Sequence, residues 1–68
     1  MKLGEKIKTL RKQKNISQEV LAQYLGVTFQ AVSKWENGTS EPSTSNLIAL
    51  ARLYGISVET LLQDVSPN

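Results

Sequence analysis

Two helix starts built to one design, set one after the other, constrain this chain more than anything else in it. The stretch Ser17–Gly38 reads SQEVLAQYLGVTFQAVSKWENG. Ser17 is a good N-cap for a helix over Gln18–Leu25, and Gly26 supplies a left-handed stop that a residue with a Cβ resists. Thr28 is the next cap, for a helix over Phe29–Asn37 ended by Gly38. Ile16 just before the first cap pairs with Leu21 at the fourth helical position, and Val27 with Val32 repeats the spacing. Each pair is a hydrophobic staple that fixes the angle of chain entry. A chain with this pattern is held to two short helices joined by a tight turn.

The apolar positions are Val20, Leu21, Ala22, Leu25, Val27, Ala31, Val32 and Trp35, and they give each helix one inward face. Ala22 is small, as a close helix crossing requires. The remaining face of the second helix is Gln30, Ser33, Lys34 and Asn37, spaced i, i+3, i+4, i+7. It is an uncharged-to-basic stripe rich in hydrogen-bonding groups, where a merely solvated face more often carries Glu–Lys pairs. Trp35, inward with Val32, is a core residue rather than a stacking one.

In spacing and residue type the stretch resembles the helix-turn-helix of the lambda-repressor/Cro-like (XRE) DNA-binding family. The residues that carry the resemblance are Ser17-Gln18, Ala22, Gly26-Val27, Thr28, Val32-Ser33, Trp35-Glu36, Gly38 and Pro42. It extends over roughly Leu3 to Leu62 and implies a compact all-α, five-helix domain. It also implies that Gln30, Ser33 and Lys34 read bases while Gln18, Thr28 and Asn37 hold the DNA backbone. The chemistry of these side chains suits the roles. B-DNA's major groove admits one α-helix; a Gln amide takes adenine N6 and N7, and a Lys donates to guanine O6 and N7. Phe29 either touches thymine methyls or packs on the end of the preceding helix. Gln18 opens a helix whose N-terminal N–H groups favour a phosphate.

The flanking chain fits this core. Leu3, Ile7 and Leu10 make residues 2–14 an amphipathic helix with lysines outside. The family resemblance implies that Arg11 pairs with Glu36, tying the first helix to the third; its other reading is a phosphate contact. In the loop 39–43, Pro42 prevents helix, Thr39 and Ser40 offer neutral hydrogen bonds to phosphate, and Glu41 stands where related phage repressors often place a Lys or Arg. Ser43 caps a helix over Thr44–Tyr54 with Leu47, Leu50, Ala51 and Tyr54 on one face, widened by Ile48 and Leu53. Ser57 caps a last helix over Val58–Asp64, with Ile56 and Leu61 as a third staple. Val58, Leu61, Leu62 and Val65 either finish the core or face a partner subunit. One domain is expected over residues 1–65, with 66–68 a tail or the start of a linker.

Charge is uneven. Residues 1–14 hold six of the eight basic residues against Glu5 alone, and the rest of the chain is net −3. A basic end on a near-neutral body suits a protein that meets a polyanion, although a solvated basic helix gives the same pattern. With no cysteine and no histidine, disulfides and Cys/His zinc sites are impossible. There is no secretory signal in MKLGEKIKTLRK, and Val20–Ser33, the longest uncharged run, is too polar to span a bilayer. A cytoplasmic location is the expectation.

Catalysis has nothing to work with: no histidine base, no cysteine nucleophile, no Gly-rich phosphate loop, and six scattered carboxylates. No enzyme activity, cofactor, metal, membrane or small-molecule ligand is expected. The reading is sequence-specific double-stranded DNA binding by a transcriptional regulator of repressor type. One recognition helix reads few base pairs, so a homodimer on a pseudo-palindromic operator is expected. The alternatives are an antitoxin-like interaction module, and the DNA-binding end of a longer ligand-sensing regulator.

Overall fold

A computed structural model describes residues 1–66 of the chain. Five helices follow one another: α1 Leu3–Gln13, α2 Gln18–Leu25, α3 Phe29–Asn37, α4 Thr44–Tyr54 and α5 Val58–Leu62, with no strand among the described residues. Four of the starts use the predicted caps. The hydroxyls of Ser17, Thr28, Ser43 and Ser57 each accept the N–H three residues on, from Val20, Ala31, Asn46 and Thr60. Each satisfies one of the amide donors that a helix start leaves without a partner. Between α2 and α3, Gly26 sits at φ 70, ψ 30, and Val27 N–H reaches back to Ala22 O at 3.0 Å. That is the left-handed closure glycine makes without strain.

The core is Ile7, Leu21, Ala22, Val32, Trp35, Leu50, Ala51, Tyr54 and Leu61. It draws on all five helices, and α3 is the hub, packed against both α1 and α2. The Tyr54 hydroxyl would be a buried orphan, but it donates to Ile7 O at 3.3 Å. Burial, and then the charge of Glu36, push its pKa up to about 12, so it stays a neutral donor.

Three sequence expectations need correction. Val20 and Ile48, expected on inward faces, are 44% and 42% exposed. The buried lines run through Leu21–Ala22–Leu25 and Leu50–Ala51–Tyr54, and residues 20 and 48 lie off them by helical rotation. The last helix stops at Leu62 rather than Asp64, because Gln63 turns extended and Asp64 takes φ 64. Their carbonyls accept from the far end of the chain instead: Lys6 Nζ reaches Gln63 O at 2.9 Å and the Met1 amino group reaches Asp64 O at 2.9 Å. Ser66, placed in the tail, donates its N–H to Met1 O at 2.8 Å. The rest of that expected tail, 67–68, lies outside the described residues.

One close approach has no counterpart in the sequence reading. Gly4 is buried in the first turn of α1, and a Cβ built there falls 2.2 Å from Trp35 O and 2.8 Å from Glu36 O. Both obstacles are backbone, so nothing can rotate aside. Gly4→Ala should gain up to about 1 kcal/mol in helix propensity and lose more, about 1–3 kcal/mol, by forcing α1 off α3. Urea unfolding should therefore show a net loss; an unchanged or raised midpoint would mean that the two helices do not meet here.

Candidate nucleic-acid interface

The outer face of α3 follows from what its inner face buries. Val32 is fully buried and Trp35 is 5% exposed. The stripe on the other side therefore turns outward: Gln30, Lys34 and Asn37 are exposed, and Ser33 is half-buried. Phe29 keeps 39% of its surface in solvent at the N-terminal end of this face, and Thr28 is exposed beside it. At the other end the Asn37 side chain folds back: its Oδ1 accepts the Thr39 N–H at 2.9 Å and the Thr39 hydroxyl as well. Asn37 and Thr39, singled out separately in the sequence, thus form one polar corner.

Behind α3 lies a charged network. Arg11 Nε donates to Glu36 Oε2 at 2.7 Å, Nη2 to Oε1 at 3.1 Å, and Nη1 to Ile16 O at 2.8 Å. The side chains are only 10% and 3% exposed. The bond to Glu36 raises the Arg11 pKa, and burial offsets part of that. This two-point guanidinium–carboxylate geometry is the strong form of ion pair. It ties α1 to α3, and the Ile16 carbonyl brings in the approach to α2. The phosphate reading of Arg11 meets an obstacle, because every guanidinium nitrogen already donates within the protein.

Gln18 was expected on the DNA backbone. The structure turns it inward, with Nε2 donating to Glu36 Oε1 at 2.9 Å. Its half-buried amide therefore links the start of α2 to α3, a role the sequence reading missed. A signal was present, since Gln18 and Glu36 flank the two inward faces, but the amide could equally have served a phosphate. Among the described residues no three His, Cys, Asp or Glu side chains gather as a metal site. No helix of the described chain is long and apolar enough to cross a membrane.

Two short helices meeting through a left-handed glycine turn, the second with its polar face free and its carboxylate locked behind it, define a helix-turn-helix domain. Comparison with known proteins gives the same class: the helix-turn-helix family model matches residues 7–61. The chain belongs to the lambda-repressor/Cro-like (XRE) helix-turn-helix family. It is 37% identical over 62 residues to the transcriptional activator BcrR of Enterococcus faecalis, covering 91% of this chain and 30% of that protein. It is 38% identical over 61 residues to the C2 repressor of Salmonella phage P22, covering 90% of this chain and 28% of that protein. A crystal structure of the P22 c2 repressor with a synthetic operator matches at a TM-score of 0.84 and 36% identity, over 93% of this chain and 96% of that one. The chain thus spans under a third of the length of both curated relatives.

Proposed function

We propose that this domain binds double-stranded DNA sequence-specifically and acts as a transcriptional regulator of repressor type, with α3 in the major groove. The observation that carries this is the free polar stripe of α3, backed by a buried core and a fully paired carboxylate. A helix held on two sides presents its side chains at fixed positions, which base reading requires. Gln30, Ser33 and Lys34 read bases, Phe29 lies at the groove edge, and Thr28 and Asn37 contact phosphates, with Thr39 orienting the Asn37 amide through the two bonds it donates to Oδ1. Gln18 contributes through the N–H groups of its helix start, its amide being engaged with Glu36. The repressor reading rests on the P22 relative; BcrR, an activator, bears the same kind of domain, so the domain alone does not set the sign of regulation. The protein works as a homodimer on two half-sites one helical turn apart, in the cytoplasm, as a binding protein and not an enzyme.

The test begins with selection of bound DNA from a random pool, which should yield a pseudo-palindromic site. On that site Gln30→Ala and Lys34→Ala should each cost about 1–3 kcal/mol and relax preference at one base position. Competition binding against single-base variants of the site reads both effects. If both proteins keep the wild-type preferences, α3 is not the reading helix.

A further inference from the structure

The exposed end of α3 carries a reactive pair that binding does not explain. Asn37 is followed by Gly38, so no Cβ stands beside the backbone nitrogen next to the side-chain amide. The other described asparagines lack this: Asn15 precedes the β-branched Ile16, and Asn46 precedes Leu47.

The local hydrogen bonds favour attack on that amide. Asn37 Oδ1 accepts from the Thr39 hydroxyl and from the Thr39 N–H at 2.9 Å, the N–H being shared with Lys34 O at 2.9 Å. These donors aim at the oxygen on which negative charge develops when a nucleophile adds to Cγ, the arrangement that stabilises an oxyanion. The Gly38 N–H is paired with Lys34 O and, at a long 3.3 Å, with Trp35 O in the last turn of the helix, so it is released for attack when that turn frays.

We propose that Asn37 is a site of spontaneous deamidation, activated by Thr39. Gly38 N gives up its proton and attacks Asn37 Cγ; the new C–N bond closes a five-membered succinimide. The Cγ–Nδ2 bond breaks, and ammonia leaves with the proton. Water then opens the ring at either carbonyl, giving aspartate or isoaspartate at position 37. No electrons are transferred, and water is the sole co-reactant. The product carries a new negative charge at the C-terminal end of α3, already the negative pole of the helix dipole. In the isoaspartate form the main chain also gains a carbon. On the DNA-binding reading, on which this last consequence rests, the new carboxylate faces the phosphate backbone and releases the protein from its site.

The experiment ages the intact protein at neutral pH and follows each asparagine by peptide mapping and mass spectrometry. Asn37 should convert well ahead of Asn15 and Asn46. Thr39→Val should slow the conversion several-fold, and Thr39→Ser, which keeps the hydroxyl, should restore it. An Asn37 that stays intact while Asn15 or Asn46 reacts overturns the proposal, as does a Thr39→Val protein that converts as fast as wild type or faster. Aged and fresh fractions are then compared on the selected DNA site. The aged fraction should bind about tenfold or more weakly, a loss of about 1.4 kcal/mol. Equal binding by a fraction proven to be modified removes Asn37 from the DNA contacts and leaves the modification itself established.

Discussion

Trp35→Ala is expected to leave the domain largely unfolded. The indole is 5% exposed in the last turn of the hub helix, and truncating a buried Trp costs about 3–5 kcal/mol. A domain of this size has little more to lose: at roughly 0.05–0.15 kcal/mol per residue, the total is about 3–10 kcal/mol. The loss also reaches beyond the cavity. The backbone at residues 35 and 36 is the surface on which α1 lies through Gly4, so a collapsing α3 takes the α1 contact with it. Far-UV circular dichroism and thermal melting check this directly. A variant that melts like wild type and loses only DNA binding would make Trp35 a contact residue and remove it from the core.

The fold was legible because this chain states its boundaries in local chemistry. Ser17, Thr28, Ser43 and Ser57 each cap with their own hydroxyl, so α2, α3 and α4 begin and end where the caps and glycines place them. Where a boundary depends on distant residues, the local signal failed. Nothing near Gln63 announces that Lys6 and Met1 will take its carbonyl and the next one. Gly4 is a partial exception: a glycine inside an amphipathic helix costs about 1 kcal/mol against alanine, which asks for a close packing contact without saying with what.

The candidate site divides along the same line. Outward positions such as Gln30, Lys34 and Asn37 follow from the helical period once Val32 and Trp35 are known to face inward. The partner of a long polar side chain does not follow, because a Gln amide or an Arg guanidinium reaches several groups. Gln18 shows this: the helix start made a phosphate contact reasonable, yet in the fold the amide completes the hydrogen bonding of Glu36. A carboxylate only 3% exposed needs every donor it can find, and that demand appears only once the helices are packed.

Breaking the Arg11–Glu36 pair from either side should destabilise the free protein by about 3–5 kcal/mol, because each single change strands the other charge in a buried site. Glu36→Gln leaves the guanidinium with Ile16 O and a neutral amide. Arg11→Met leaves the carboxylate with Gln18 as its one remaining side-chain donor. The Arg11 pKa is raised by folding, so its contribution is present at every pH below its ordinary value and is lost only as pH climbs through the folded value. Melts near neutrality therefore read the arginine's share in full. The double variant strands neither charge and should recover part of the loss, giving a clear coupling in the double-mutant cycle. DNA binding offers the opposing test. If Arg11 mainly grips a phosphate, Arg11→Met should leave the melting temperature nearly unchanged. It should also weaken binding alike on all sequences and flatten the salt dependence by about one phosphate's worth. With three of its nitrogens already donating inside the protein, the arginine is expected to show its effect in the melt, and zero coupling there would sink its structural role.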